Sequence, residues 1–392
     1  MVNNGGRNSE EWFLPHDVLI NILKRVPVKS LIRFKCVSKN WANLLESPYL
    51  SEQQLQYSTH NNPFLLLQRI PLRSPPSPFP LHPSTFLISP DFSVHDIDFT
   101  APAARIVGSC NGLFCLRHID HTLSLFNPAT RQIKEVPQTL IDVKTINYVG
   151  FGFSPLVNDY KIVRISFCEV EVEDGVVLLD DVRVNRVQVY SLTTGYWKDI
   201  DAVNLRSLCL VSNSVTSSVT ANGAIFWQGI ITSDPDSELV VSFDIGLEVF
   251  TLLKGPPHPP SLPFSYSNVL VVYHDKLAMF RLFIDDNFES CSIDLWVLED
   301  TPTCTAAEES WIKMYSVRSP SRILYPLSIW RDEIVCREEL CRDNRGLKTV
   351  LSIFNPYSKE LKKLPSHRDE YCYVSFDYVE SLVPVVNGHH EP

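Results

Sequence analysis

Hydrophobic positions along the chain fall into two regimes. From Leu14 to Leu50 they recur at the spacing of an amphipathic helix, and from Ile106 onward they gather into short apolar, β-branched runs broken by Gly, Pro, Asn and Asp. The first regime predicts three short helices. Pro15 suits the first turn of helix one, where a missing N–H leaves no bond unmade, and Val18, Leu19, Ile22, Leu23 and Val26 line one face. Pro27 ends that helix, because the residue before a proline is pushed out of the α region, and can open a second carrying Val28, Leu31, Ile32, Phe34, Cys36 and Val37. Ser38 is the expected N-cap of a third helix holding Trp41, Leu44 and Leu45, with Ser47-Pro48 as its stop. Fewer than ~40 residues with this apolar load bury too little area to be stable unaided, so a partner surface is expected.

Residues 51–100 begin polar, show the apolar run Phe64–Leu67, and become proline-rich through SPPSPFPLHPS. That proline density forbids helix continuation and central sheet pairing, which predicts a semi-rigid connector. Beyond it helical signals nearly vanish and a unit of strands and polar turns recurs. Ser109–Pro137 and Val350–Pro365 are two copies, tied by Phe126-Asn127-Pro128 and Phe354-Asn355-Pro356. Their spacing approaches the ~40–50 residues of propeller blades. Each blade would expose an apolar face that only the next blade covers, so the array closes on itself, with about six blades.

Charge and composition narrow the function. A formal charge of −10 disfavours nucleic acid and anionic membrane surfaces as partners. The polar N-terminus lacks the long apolar run of a secretory signal, and no stretch approaches ~18 consecutive apolar residues, so an intracellular protein is expected, cytoplasmic with the nucleus as a second location. Ten cysteines without a CxxC or a nearby Cys/His set read as reduced, mostly buried thiols, and no metal or other cofactor is expected.

The helical stretch resembles an F-box of the plant type, through Leu14-Pro15, the aliphatic spacing to Leu23, Val26-Pro27-Val28-Lys29-Ser30-Leu31, and Arg33 to Lys39 followed by Trp41. His16-Asp17 stands where an acidic residue or pair is usual. The resemblance implies docking on the Skp-type adaptor of a cullin-RING (SCF-type) ubiquitin ligase. Leu14, Pro15, Val18, Leu19, Ile22, Leu23, Val26, Pro27, Val28, Leu31, Phe34 and Trp41 would form the interface and its supporting core. The β region resembles the kelch-like F-box-associated domain, carried also by Gly150–Ile165 and by Tyr378–Val385. The whole chain is similar to the S-locus F-box and S-locus F-box-like group, whose implied target is a self-incompatibility ribonuclease. The expected architecture is α+β and multidomain: a disordered tail (1–11), a three-helix F-box (12–50), a connector (51–100), an all-β kelch-like propeller (101–386) and a tail (387–392).

Candidate chemistry is weak beside this. Gly108-Ser109-Cys110-Asn111-Gly112 has nucleophile-elbow spacing, but a strand follows it, so Asn111-Gly112 reads as a hairpin turn. The pairs Asp180-Asp181 and Asp285-Asp286 invite a hydrolase reading, while Glu169, Glu171, Glu173 and Asp174 alternate like the wet face of a hairpin. His258, His389 and His390 lack ligand partners, and Trp197, Trp227, Trp296, Trp311 and Trp330 suit packing between blades. The expected role is a non-catalytic substrate receptor, with a propeller hydrolase or a scaffold as alternatives. Target binding is expected at loops on one face, at 166–186 and 299–310, through Glu169, Glu171, Glu173, Asp174, Asp180, Asp181, Glu299, Asp300 and Glu308, whose acidity favours a basic protein.

Overall fold

The computed structural model describes residues 14–61, 63–71, 83–96, 104–139, 146–167, 184–211, 218–231, 234–257, 265–287, 289–299, 311–319, 322–343, 346–364 and 371–385. The first helices are α1 (His16–Leu23), α2 (Val28–Phe34) and α3 (Lys39–Leu45). Pro15 and Pro27 stand at the N-caps of α1 and α2, and Ser38 Oγ accepts the Trp41 N–H at 3.3 Å ahead of α3. α3 ends ahead of Ser47-Pro48 as expected, and the chain restarts there at once. Ser47 Oγ accepts the Leu50 N–H at 3.3 Å, and Pro48 opens a fourth helix, α4 (Pro48–Asn61). This helix escapes an apolar-period reading because the face it buries is Leu50, Gln54 and Ser58, one turn apart but mostly polar.

The connector expected over 51–100 also needs correction. After α4, this stretch supplies β1 (Phe64–Pro71), β2 (Ser84–Ile88) and β3 (Val94–Asp96), and the run Leu65–Leu67 is fully buried. Most of the proline-dense segment, 72–82, lies outside the described residues. These strands belong to a ring of six antiparallel sheets. Blade 2 holds β4 (Arg105–Cys110), β5 (Leu113–Arg117), β6 (Leu123–Asn127) and β7 (Gln132–Glu135). Blade 3 holds β8 (Ile146–Ser154), β9 (Asp159–Phe167), β10 (Val184–Ser191) and β11 (Trp197–Ile200). In blade 4, β12 (Leu208–Leu210) and β13 (Val219–Ala221) both pair with β14 (Ala224–Ile231), followed by β15 (Asp234–Asp244) and β16 (Val249–Lys254). Blade 5 holds β17 (Ser265–Tyr273), β18 (Lys276–Ile284), β19 (Cys291–Leu298) and β20 (Trp311–Ser319). Blade 6 holds β21 (Leu324–Trp330), β22 (Glu333–Asp343), β23 (Gly346–Phe354) and β24 (Leu361–Lys363). The last strand, β25 (Tyr371–Tyr378), pairs with β1 in register from Phe64↔Tyr378 to Pro71↔Tyr371. Blade 1 therefore joins the two ends of the β region, which leaves the ring without an open seam.

Each seam between blades has its own apolar cluster, and this explains why the strands read as apolar runs rather than alternations. In β9, Val163, Ile165 and Phe167 pack toward blade 4, while Ile162 packs toward blade 2. A strand buried on both faces has no wet side to mark its period. Trp227 sits in the seam of blades 3 and 4, and Trp330 in that of blades 6 and 1, both fully buried. The echoed Phe-Asn-Pro segments are one turn used twice. Asn127 Oδ1 accepts the Ala129 and Thr130 N–H groups at 2.9 and 3.3 Å, and Asn355 Oδ1 accepts those of Tyr357 and Ser358, both at 2.9 Å. Asn111 (φ 52°) and Gly112 (φ 78°) make the predicted hairpin turn between β4 and β5.

Candidate functional site

The helical module separates the residues that spacing alone left together. Leu19, Leu23, Val28 and Leu31 turn inward with Ile20, Leu45 and Leu50, and Val26 and Trp41 are half-buried against them. Leu14, Val18 and Ile22 form an exposed apolar row along α1, Phe34 is exposed at the end of α2 against Trp41 (centroids 5.6 Å apart), and Pro15 and Pro27 are exposed beside them. Val37, absent from the expected interface, is also largely exposed. An exposed apolar row on so small a module marks an interaction surface.

The opposite side of the module is not open. Residues 379–385 run back from β25 as a strap. Leu382 enters the helical core, and Ala129 of blade 2 packs on it. Glu380 Oε2 accepts the Val28 N–H at 3.2 Å, at the start of α2. Gln54 Nε2 donates to the Glu380 carbonyl at 3.0 Å, and Gln54 Oε1 accepts the Leu382 N–H at 3.3 Å. Asn127 Nδ2 donates to the Ser381 and Val383 carbonyls at 3.0 and 2.8 Å, and Val385 is buried in the seam of blades 2 and 3. A Cβ on Gly112 would fall 2.5 Å from the Val379 carbonyl, so this turn needs glycine for closeness as well as for its positive φ.

The strap and α4 lie on one face of the ring, here the near face. Thr59 of α4 lines a cavity of about 400 Å³ at the mouth of the central channel, together with the C-terminal ends of inner strands at Cys110, Phe153, Val272, Ile329 and Asp377. Asp275 and Asp377 both face this mouth, among the hydroxyls of Ser109, Thr220, Ser328 and Ser375. Water reaches Asp377 through the channel, but enclosure by the blades and then the Asp275 carboxylate push its pKa up to about 7. A raised carboxylate pKa means that the folded chain holds a proton the unfolded chain releases near pH 4, so stability falls as pH rises from about 4 to about 7. Asp377→Asn is therefore expected to raise the melting temperature at pH 8, with a gain that shrinks toward pH 4. A gain independent of pH in thermal melts would place its source elsewhere.

Among the described residues, the groups that invited a hydrolase reading do not assemble into a site. Burial pushes the Cys110 thiol up to about 12, leaving it protonated in its hairpin. Asp285 Oδ1 accepts the Glu289 and Ser290 N–H groups at 2.9 and 3.0 Å, a turn role. No Tyr, Arg, Lys or His is among the described residues lining the channel mouth. Among the described residues no three His, Cys, Asp or Glu cluster as a metal site, and no helix is long and apolar enough to cross a membrane. His258, His389 and His390 lie outside the described residues.

The acidic target loops need a further correction. Phe167 and Val184, which flank 168–183, pair at the same end of blade 3 as Ile146, the start of its inner strand, on the far face. Leu298 and Trp311, which flank the second loop, pair at the end of blade 5 that carries the Tyr273–Lys276 turn, on the near face. The strand ends that flank the two loops lie on opposite faces, because antiparallel strands alternate their turns. Glu299 is exposed; Glu169, Glu171, Glu173, Asp174, Asp180, Asp181, Asp300 and Glu308 lie outside the described residues.

Comparison with known proteins agrees with this architecture. The F-box domain model matches residues 13–53, and the model described as F-box associated beta propeller domain matches residues 78–327, more than half of the chain. The F-box protein CPR1 of Arabidopsis thaliana is 27% identical over 331 residues, covering 79% of this chain and 74% of that protein. The provisionally named Arabidopsis thaliana F-box protein At4g38870 is 29% identical over 316 residues, covering 78% and 68%. The solved β-propeller domain of Myceliophteria thermophila Cps50 (Swd1) overlaps 68% of this chain and 88% of its own at 9% identity, with a TM-score of 0.33, too low to bear on the argument. F-box domains generally bind Skp1-type adaptors in SCF complexes, and an F-box followed by a propeller is the plan of an SCF substrate-recognition adaptor, typically without catalysis of its own. With four helices closed by a strap onto a six-bladed ring, the chain belongs to the F-box proteins that carry an F-box-associated β-propeller domain.

Proposed function

We propose that the chain is the substrate receptor of an SCF-type ubiquitin ligase, docking on a Skp-type adaptor through the exposed row Leu14, Val18, Ile22 and Phe34 and holding a protein target on the far face of the propeller. The observation that carries this is the division of the helical module: one side is closed by Leu382 and Ala129, and the other keeps its apolar side chains in solvent. The buried residues Leu19, Leu23, Val28 and Leu31 support the row rather than contact the adaptor. The near face is partly taken by α4 and the strap, so the far face offers a target the wider approach. The chain then acts by raising the local concentration of target near the ligase.

Val18→Glu and Ile22→Glu change exposed positions, so each is expected to fold as the wild type and to lose about tenfold or more in co-purification with the adaptor. Equal capture of both variants would refute the assigned surface. The self-incompatibility ribonuclease is a target carried by the S-locus resemblance, and a basic target by acids mostly outside the described residues. Both are tested by capture of the purified ribonuclease on the full chain.

A further inference from the structure

The far end of the seam between blades 2 and 3 buries an arginine without a carboxylate among the described residues. Arg164 of β9, on the same side of its strand as Ile162, is only 4% exposed. Its guanidinium lies 4.4 Å from the centroid of the Trp197 ring, and Nη1 donates to Thr139 Oγ1 at 2.8 Å. From the facing blade Arg117, the last residue of β5, donates through Nη1 to the Asn147 carbonyl at 3.2 Å. Neither arginine has a carboxylate partner among the described residues. Arg186 nearby is already engaged with Asp199, at 2.5 and 2.8 Å.

The chain treats its other buried cations differently. Three are buried among the described residues, and two of them, Lys161 and Arg281, hold carboxylates at 2.9 and 2.7 Å, from Glu248 and Glu238. Arg164 is the exception. Burial, and then the guanidiniums of Arg186 and Arg117, pull its pKa down to about 10. No atom of Arg164 or Arg117 is among the sealed, unbonded polar atoms of the described residues, so their unspent N–H donors are not shut away from solvent at this end of the seam. Gathering cations in a low-dielectric seam without an anion is costly, and a guanidinium's fork matches a planar or tetrahedral oxyanion.

We propose that this end of the seam binds an oxyanion side chain of the target, a carboxylate or a phosphate, at Arg117 and Arg164. It rests on the receptor reading in taking a protein segment as the ligand, and on the site's position at the far face. The test uses the full chain bound to its adaptor and fluorescence anisotropy of three short labelled peptides, identical but for a central phosphoserine, glutamate or serine. The phosphoserine or glutamate peptide is expected to bind at least ~10-fold more tightly than the serine peptide, and the preferred one identifies the anion. Inorganic phosphate competes, and Arg117→Gln and Arg164→Gln each abolish the preference. Arg164→Met in the free chain is expected to keep or raise the melting temperature, because it removes an uncompensated charge; a clear fall would make Arg164 structural and overturn the proposal. Equal binding of the three peptides, or unchanged preference in both glutamine variants, would also overturn it, as would a site that takes inorganic phosphate but none of the three peptides, an adventitious ion only. Binding that emerges only after Glu169, Glu171 and Glu173 are changed to Gln would assign the site to the chain's own acids and not to a target. Adaptor capture is unaffected in every case, so failure here is separable from failure of the receptor reading.

Discussion

Arg281→Ala is expected to destabilise the propeller by about 3–5 kcal/mol, because it removes a buried cation from its ion pair with Glu238. Arg281 is 1% exposed and ties blade 5 to blade 4. Its Nη2 donates to Glu238 Oε2 at 2.7 Å and to the Pro256 carbonyl at 3.1 Å, Nη1 to the Pro257 carbonyl at 2.8 Å, and Nε to Asn268 Oδ1 at 3.2 Å. Asn268 in turn donates to Glu238 Oε1, so cation, amide and anion form one satisfied unit. Removing the cation alone leaves Glu238, Asn268 and two carbonyls facing a cavity. A shift of the urea midpoint reads the loss. Arg281→Met combined with Glu238→Leu is expected to cost less than the sum of the single changes, since both charges leave together. Strict additivity would show that the two side chains do not act as a pair.

Leu382→Asp is expected to undock the helical module while leaving the ring folded. Leu382 is buried among Leu19, Leu23, Val28, Leu31, Leu45 and Leu50, and the backbone beside it bonds Gln54. Losing its apolar burial costs about 2–3 kcal/mol, and an unpaired carboxylate in that core costs more. The ring keeps its closure, since β25 still pairs with β1. Limited proteolysis is expected to cut within residues 46–63 far faster than in the wild type, while the propeller fragment stays intact. Leu382→Met, of similar volume, is expected to be protected like the wild type. Slow cleavage of Leu382→Asp would mean that the strap does not hold the module.

Much of this was legible in the chain, and the exceptions share a cause. The first three helices announced themselves because apolar side chains at helical spacing meet prolines and Ser38 at their starts. The recurring Phe-Asn-Pro segment announced the blades because its asparagine bonds the turn that follows. Hidden features were those whose reason lies far away in sequence. α4 buries Gln54 because Glu380 and Leu382 come back to bond it, 326 and 328 residues later. Phe64–Leu67 read only as an apolar run within a connector because one of its two partner strands is the last in the chain. Exposure along α1 depends on which side the strap covers, so spacing could not divide Val18 and Ile22 from Leu19 and Leu23. The channel acids come from different blades and the Arg117–Arg164 site from facing ones, and no local pattern marks either pair.

The claim that one side of the helical module is reserved for the adaptor is tested most directly by hydrogen exchange of the full chain, alone and saturated with a Skp-type adaptor. New protection confined to residues 14–41, with the strap at 379–385 and the far face unchanged, is the predicted result. Protection spread over the propeller, or none in α1 and α2, would contradict it.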